Sequence, residues 1–246
     1  LVGSEMCIRD RNNILDKSLD SQFDKIENLT WFPWVGKGYK CAKRKLLVVG
    51  ESHYLNEDSD ENNEKRRELL IRDKEHTRNC LYEVLINKSW SSKTYSNIME
   101  ALCDRSILSD NKTALSEIAY YNFIQRQMDY SKDTKERPNI DDYKIAWKCF
   151  LHIIDILQPT DCIFVGVESV TLFEEIMDKY GVQYTGIDVL EKLNDAYPKK
   201  TSIRLDSKNN INIIFIKHSS CYFSPGKWYD FLKQQIPEAI EWLNRV

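Results

Sequence analysis

The sequence lacks a long hydrophobic run and lacks an excess of charge of either sign. Its 246 residues include 35 Lys and Arg against 38 Asp and Glu, which gives a formal net charge of -3. Because no run of about 18 apolar residues occurs, no segment is expected to span a bilayer, and we predict no membrane partner. The chain is also not basic throughout, so a nucleic-acid site would need a local basic patch.

Paired cysteines and glycine-rich loops are absent as well. The seven cysteines never form a C-x-x-C pair. This argues against a zinc ribbon or an iron–sulfur cluster, and we predict no metal and no cofactor. Since the cysteine number is odd and no secretory leader is recognised, we expect reduced, mostly buried thiols in a cytoplasmic protein. With eight glycines, the chain contains neither G-x-G-x-x-G nor a P-loop.

Four short apolar runs are present and predict strands buried on both faces. They are 46–50, 118–124, 162–166 and 211–216. Helical stretches are predicted at about 61–88, 94–108, 140–157, 168–180 and 227–244. This alternation predicts an α/β fold with a central, mainly parallel, four-stranded sheet sandwiched between helices. We predict a single domain over 12–246, preceded by a non-native leader at 1–11.

The segment 56–79 is the most charged part of the chain and is predicted to be an insertion. It begins acidic and becomes mixed in charge. The charge pattern favours a solvated helix with pairs such as Glu61 with Lys65. The alternative interpretation is a lid over a site that begins at Gly50.

Polar residues follow three of the four predicted strands. They are Glu51, Ser52, His53 and Tyr54 after the first strand, Asn122 within the second, and His218, Ser219 and Ser220 after the last. Because parallel strands bring their carboxyl ends to one edge of a sheet, we expect these residues to meet there. A histidine or a serine pair at a strand end is often structural. A buried amide such as that of Asn122 needs several hydrogen bonds and costs stability without them.

The order of these motifs resembles that of the uracil-DNA glycosylase superfamily. The first motif of that family is a strand followed by G-Q-D-P-Y or G-E-A-P-G, and Gly50-Glu51-Ser52-His53-Tyr54 is similar to a hybrid of the two. The last motif is an apolar strand followed by H-P-S, to which His218-Ser219-Ser220 is similar. The motifs between them occur in the same order as in the iron–sulfur branch: Asn122, Arg137-Pro138, Pro159 and Gly166. The resemblance covers about residues 30–235.

The resemblance implies a three-layer uracil-DNA glycosylase-like fold and a specific reaction. That reaction is monofunctional: the nucleotide is flipped out and its N-glycosidic bond is hydrolysed, releasing uracil or a modified pyrimidine and leaving an abasic site. Glu51, Ser52 and His218 would be the catalytic residues, with His218 donating a hydrogen bond to the leaving base and Glu51 orienting water or stabilising the sugar cation.

The same resemblance implies a set of base-binding residues. Asn122 would read the Watson–Crick edge, and either Trp90 or Tyr95 would stack on the base. His53 and Tyr54 complete the set, and Tyr54 stands where the uracil branch excludes groups at base carbon 5. The hydroxyls of Ser219 and Ser220 would contact phosphate.

A basic cluster supplies the candidate DNA patch. It comprises Lys37, Lys40, Lys43, Arg44 and Lys45, interleaved with Trp31, Phe32, Trp34 and Tyr39. In such a pattern the basic residues can bind the DNA backbone, and the aromatic residues can stack on bases. The equally weighted alternative is an N-terminal arm whose aromatic residues pack on the domain while the lysines stay solvated. Lys227 is a second candidate contact, and DNA is the predicted partner of a monomeric protein.

Departures from the family pattern keep other functions open. Ser52 replaces the motif aspartate, Ser219 replaces the motif proline, and the cluster cysteines are missing. The altered first motif and the long insertion are compatible with a distant branch that excises hypermodified bases from phage DNA in antiviral defence. The alternatives are a serine hydrolase using Ser52 and His218, although no G-x-S-x-G elbow occurs, and an inactive DNA-binding module.

Overall fold

A mixed sheet forms the centre of the computed structural model, which describes residues 11, 13–56, 60–107, 110–130, 135–205 and 209–245. Its strands are β1 (Trp34–Val35), β2 (Leu46–Gly50), β4 (Ala119–Asn122), β6 (Asp161–Val165), β7 (Gln183–Tyr184), β8 (Asp188–Val189), β9 (Lys199–Leu205) and β10 (Asn209–Ile216). The order is β1-β4-β2-β6-β10-β9-β7, and β8 also pairs with β9. A separate parallel pair is formed by β3 (His53–Asn56) and β5 (Gln127–Tyr130).

Helices surround the sheet. They are α1 (Asp20–Phe23), α2 (Asp60–Arg72), α3 (His76–Tyr82), α4 (Lys93–Leu102), α5 (Asn111–Glu117), α6 (Ile140–Leu157), α7 (Phe173–Lys179), α8 (Pro225–Gln235) and α9 (Pro237–Leu243). A π-helical turn at Glu83–Asn87 continues α3, and 3-10 turns occur at Tyr39–Cys41 and Val167–Val170. Within the described ranges, no helix is long and apolar enough to cross a membrane.

The centre of the sheet is parallel, as the sequence predicts. Strand β2 runs parallel to both β4 and β6, and β6 runs parallel to β10. The predicted strand count of four is too small, because β1 joins one edge of the sheet and β7, β8 and β9 join the other, and all of their ladders are antiparallel. The α/β class with a mixed, mostly parallel central sheet between helices is confirmed.

Alternating side chains of the central strands pack on two opposite helical layers. In β2, Leu46 and Val48 join a core with α3, α4, α5, α8 and α9. Leu47 and Val49 join the second core, which includes α6 and α7. Because neighbouring residues of a strand face opposite sides, this five-residue run must be apolar throughout to be buried on both faces.

Helix ends account for one difference from the predicted segments and for one agreement with them. The predicted helix at 227–244 is interrupted before Pro237, which begins α9 and lacks the N–H that a continuous helix would need. The predicted helix at 140–157 has the observed bounds, because Asn139 and Asp142 form a capping box at its start and Gln158 ends it in a left-handed conformation.

The predicted start of the domain at residue 12 directly follows a residue that contacts the domain. Residues 1–10 and 12 lie outside the described residues. Arg11, which the prediction assigns to the leader, contacts the domain through an ion pair of 3.6 Å with Glu75. All six described cysteines are free: three are buried, Cys80 is partly buried, and Cys41 and Cys221 are exposed.

The predicted basic patch lies at the amino-terminal edge of the sheet. Residues 37–45 precede β2, and the Arg44 guanidinium bonds both carboxylate oxygens of the fully buried Asp161, at 3.0 and 2.8 Å, where β6 begins. The interleaved aromatic residues Trp31, Phe32, Trp34 and Tyr39 are buried. The structure therefore matches the alternative in which the aromatic side chains pack on the domain, and it assigns Arg44 a structural contact.

Removing this buried ion pair tests that assignment. Arg44→Ala should lower the free energy of unfolding by about 2–3 kcal/mol, because Asp161 would keep a buried charge with only hydrogen bonds from Thr160 and Asn212. Urea unfolding monitored by tryptophan fluorescence would measure the change. The exposed neighbour variant Lys43→Ala should stay within about 0.5 kcal/mol of the parent. Equal stability of both variants would contradict a structural role for Arg44.

Candidate active site

A cavity of about 840 Å³ lies at the carboxyl-terminal edge of the parallel strands. Glu51 follows β2, Asn122 ends β4 and His218 follows β10, and all three line this cavity. The predicted convergence of the strand ends is therefore found. The volume falls within the range of small-molecule sites, about 300–1,000 Å³.

Gly50 allows the strand ends to approach this closely. In the β2–β4 register Gly50 lies opposite Asn122. A Cβ atom at this position would collide with the Tyr120 hydroxyl and with Oδ1 of Asn122. The absence of a side chain therefore leaves the space that the two polar groups occupy beside the cavity.

The buried amide of Asn122 is only partly satisfied. The Tyr120 hydroxyl donates to Oδ1 at 3.1 Å, and Tyr95 lies near the amide. Within the described part of the chain, Nδ2 of Asn122 and Oε1 of Gln127 are buried and have no hydrogen-bond partner. Both residues line the cavity, so a donor and an acceptor are available beside it.

Glu51 is the centre of a polar cluster. Tyr54 donates a hydrogen bond to Oε2 at 3.0 Å, Lys135 lies 3.4 Å from the same oxygen, and Arg137 lies 3.8 Å from Oε1. Burial would raise the pKa of the Glu51 carboxyl. At the acidic pH where this carboxyl titrates, the protonated ring of His218, the charges of Lys135 and Arg137 and the Tyr54 hydrogen bond outweigh burial and lower the pKa. Glu51 is therefore ionised at neutral pH.

The geometry around His218 fixes its tautomer. The backbone N–H of Ser220 donates to Nδ1 at 3.3 Å, and the Ser220 hydroxyl lies 2.8 Å from the same nitrogen. The proton of a neutral ring must then be on Nε2, which lies 3.7 Å from Oε2 of Glu51. Burial lowers the pKa of His218, Glu51 opposes this shift, and Lys135 and Arg137 reinforce it. His218 thus presents a neutral N–H donor.

Ser52 does not form a catalytic pair with His218. Its hydroxyl donates to the backbone oxygens of Arg126, at 2.9 Å, and of His53, at 3.4 Å. His218 uses Nδ1 for Ser220 instead. Although Ser52 lines the cavity, the hydrogen-bonded serine–histidine pair that a serine hydrolase needs is not formed by these two residues.

The two candidate stacking residues have different surroundings. Tyr95 is buried, and its ring packs edge-on against Tyr120 at 5.8 Å. Trp90 is 47% exposed and lies edge-on to Tyr95 at 6.5 Å. Both line the cavity, and Trp90 is the more exposed of the two.

His53 belongs to a separate cluster that the sequence prediction missed. Its Nε2 lies 2.9 Å from the Thr77 hydroxyl, and its ring packs against His76 and, edge-on, against Trp31. Burial lowers the pKa of His53 and His76, and it raises the pKa of Cys80 to about 12. His53, His76 and Cys80 all line the cavity.

The remaining predicted contacts lie partly at the carboxyl ends and partly at the amino ends of the parallel strands. Ser219 is buried, and its hydroxyl donates to the Thr94 carbonyl at 2.7 Å, so it is not placed for a phosphate contact. Ser220 lines the cavity, and Lys227 is exposed in the first turn of α8, which follows the His218 loop. Lys37, Lys40 and Lys43 are exposed but precede β2, at the opposite edge.

The charged insertion contributes to the cavity wall. Helix α2 is mostly exposed, yet Arg66, Leu69 and Leu70 line the cavity. This contact is what the lid interpretation requires. The predicted pair of Glu61 with Lys65 lies outside the described residues, since the Glu61 side chain is not described. Residues 57–59 are likewise outside them.

Substituting Gly50 tests the contact with Asn122. Gly50→Ala should lower the free energy of unfolding by about 1–3 kcal/mol, because the new methyl group displaces the Tyr120 hydroxyl or the amide. Chemical denaturation would measure the loss. Gly226→Ala is the matched control, since a methyl group there meets nothing within 4 Å and should not destabilise the protein. Parental stability of Gly50→Ala would contradict the proposed close approach.

The protonation state of His218 can be followed by NMR. The ring should be neutral at pH 7, carry its proton on Nε2 and titrate below pH 6.5, its ordinary value. Because the unfolded chain binds this proton at higher pH than the folded chain, His218 should reduce stability progressively as the pH falls below about 6.5. Long-range ¹H–¹⁵N spectra from pH 5 to 8, assigned with His218→Gln, provide the measurement. A charged ring at pH 7 would refute the assignment.

Comparisons with known proteins do not assign the chain to a family. No protein-family model matches it, and no curated protein matches it significantly. The resemblance to uracil-DNA glycosylases therefore depends on the order of the motifs and on the residues that they bring to the cavity, and the function of the site must be argued from its geometry.

Proposed function

We propose that this chain is a monofunctional DNA glycosylase. The observation that carries the proposal is the convergence of an ionised Glu51, a neutral His218 and a partly satisfied Asn122 amide on one cavity. DNA is the proposed partner, and a monomer in the cytoplasm the proposed state. The fold proposed is that of the uracil-DNA glycosylase superfamily, with the four parallel strands as its core.

His218 stabilises the departing base. When the bond between the sugar C1′ atom and the base nitrogen breaks, its electron pair stays with the base, and negative charge develops on the base carbonyl oxygen. A neutral imidazole with its proton on Nε2 can donate a hydrogen bond to that oxygen. Lys135 and Arg137, which face Glu51, add positive charge near the same place.

Glu51 serves the sugar side of the reaction. Its carboxylate can face the positive charge of the sugar cation and accept a hydrogen bond from the attacking water. The water oxygen forms the new bond to C1′, one water proton passes to the carboxylate, and that proton then neutralises the released base. The Tyr54 hydrogen bond holds the carboxylate in place for this step.

The cavity also has groups that could read a base. Nδ2 of Asn122 is a donor and Oε1 of Gln127 an acceptor, and neither is paired within the described residues. A pyrimidine edge carries acceptors and donors that could complement them. The exposed ring of Trp90 offers a stacking surface at the rim. A volume of about 840 Å³ leaves room for a substituent on the base, in agreement with a modified pyrimidine as the substrate.

Base release from defined oligonucleotides tests the proposal. Single- and double-stranded DNA carrying uracil, 5-hydroxymethylcytosine or a glucosylated cytosine is incubated with the protein and then cleaved with alkali. At least one substrate should yield alkali-labile abasic sites. His218→Ala and Asn122→Ala should each slow release by about 10²–10³-fold, the usual effect of losing one aligned donor. His152→Ala is the matched control, because this histidine is exposed on α6 and should leave the rate unchanged.

The remaining outcomes separate this proposal from the alternatives. Failure of every substrate, or release that neither variant slows, would refute glycosylase activity. Covalent trapping of DNA by borohydride would refute the monofunctional mechanism and implicate a lysine such as Lys135. Tight, salt-sensitive DNA binding without turnover would favour an inactive module, and labelling of Ser52 by a fluorophosphonate would favour a serine hydrolase.

A further inference from the structure

Three metal-ligating side chains meet on the wall of the cavity. Each of His53, His76 and Cys80 offers one nitrogen or sulfur atom, and these three atoms lie within 4.8 Å of one another. We propose that these residues form a Zn²⁺ site. This departs from the expectation of no metal, which the absence of a C-x-x-C pair suggested.

The fold brings the three ligands together from two elements. His76 and Cys80 are four residues apart in α3, so they lie one above the other on the same helical face. His53 begins β3 and packs its ring against that of His76, with ring centroids 4.4 Å apart. The spacing on the helix is local in sequence, whereas the third ligand comes from the strand pair beside the cavity.

The present separations are somewhat larger than those of a tetrahedral site, since the three ligand atoms lie within 4.8 Å of one another. The Cys80 sulfur lies 3.9 and 3.8 Å from the two ring nitrogens of His76. Zinc bonds of about 2.3 Å to sulfur and about 2.0–2.1 Å to nitrogen place tetrahedral ligands roughly 3.5 Å apart. To reach this geometry the ligand atoms must move closer together, and the His76 ring must turn to direct one nitrogen at the metal, because the sulfur now faces both nitrogens equally.

The contacts of His53 are similar to those that usually orient metal-binding histidines. The Thr77 hydroxyl contacts Nε2 of His53 at 2.9 Å and fixes the ring, which leaves the other nitrogen for coordination. The edge of Trp31 packs on the same ring, with centroids 4.8 Å apart. The Thr77 contact and the packing of Trp31 hold the His53 ring in one orientation before a metal binds.

Zinc is the metal that this donor set favours. Two imidazoles and the Cys80 sulfur, which releases its thiol proton to solvent when it binds the metal, are borderline to soft ligands. Mg²⁺ and Ca²⁺ prefer carboxylate and carbonyl oxygens instead. Three protein ligands leave a fourth tetrahedral position, and all three side chains line the cavity. A bound Zn²⁺ would therefore accept one oxygen or nitrogen donor from water or from a molecule in the cavity.

Direct metal binding tests the site in the full chain. After removal of metal with a chelator, Zn²⁺ is titrated in competition with a chromophoric chelator, and Co²⁺ binding is followed by absorption. One metal ion per chain is expected, and the Co²⁺ form should show a thiolate-to-metal charge-transfer band. Cys80→Ser should abolish that band and weaken Zn²⁺ binding at least about 10-fold, as should His76→Gln for the affinity.

Other thiols and histidines of the chain provide the controls. Cys41→Ser, at the opposite edge of the sheet, and His152→Gln should bind as the parent does, because both residues are exposed. Zinc should raise the melting temperature of the parent but not that of Cys80→Ser, and each variant's unfolding without metal shows whether it is folded. A stoichiometry near zero, or a band that survives in Cys80→Ser and is lost in Cys221→Ser, would overturn the proposal.

The metal proposal and the glycosylase proposal can fail separately. A chain that releases bases and binds no zinc would overturn the metal site alone. A chain that binds zinc through Cys80 and releases no base would overturn the proposed function alone.

Discussion

The close approach of two parallel strands at Gly50 and Asn122 is the constraint on which the site depends. Because Gly50 has no side chain, the Tyr120 hydroxyl and the Asn122 amide can occupy the space beside it. Glu51 is the next residue in the chain and leaves the strand at the same point. Any side chain at position 50 would move the amide and the carboxylate relative to each other, so a single steric requirement couples the strand register to the cavity chemistry.

The parallel centre of the sheet could be predicted from the sequence because its strands lie in nearly continuous apolar runs. Leu46–Gly50 is buried throughout, and such a run is typical of a strand covered on both faces. The antiparallel strands outside this centre carry no such signal. In β9 (Lys199–Leu205), which pairs with β10 on one side and with β7 and β8 on the other, only Thr201 and Ile203 are buried, and its polar residues resemble a loop in sequence. The antiparallel part of the sheet was therefore missed.

The site was predictable where it follows strand ends and unpredictable where long-range contacts assemble it. Glu51, Asn122 and His218 follow or end central strands, so their convergence could be inferred from topology. Lys135 reaches Glu51 across 84 residues of sequence, and no local pattern marks that contact. The contact of Arg44 in the basic cluster was unpredictable for the same reason, since the buried carboxylate of Asp161 comes from a distant strand.

The local charge around Glu51 is opposite in sign to the net charge of the chain. This local charge determines which ligands the cavity can bind. The whole chain carries a formal net charge of -3. At the strand ends, however, one negative group, Glu51, faces two positive ones, Lys135 and Arg137. His218 adds no charge, because burial and these same cations keep it neutral. The local balance is positive, and partial burial reduces its screening by solvent. An overall acidic protein can therefore retain an anionic ligand or a developing negative charge at this point, and the neutral histidine can donate a hydrogen bond to that charge from Nε2.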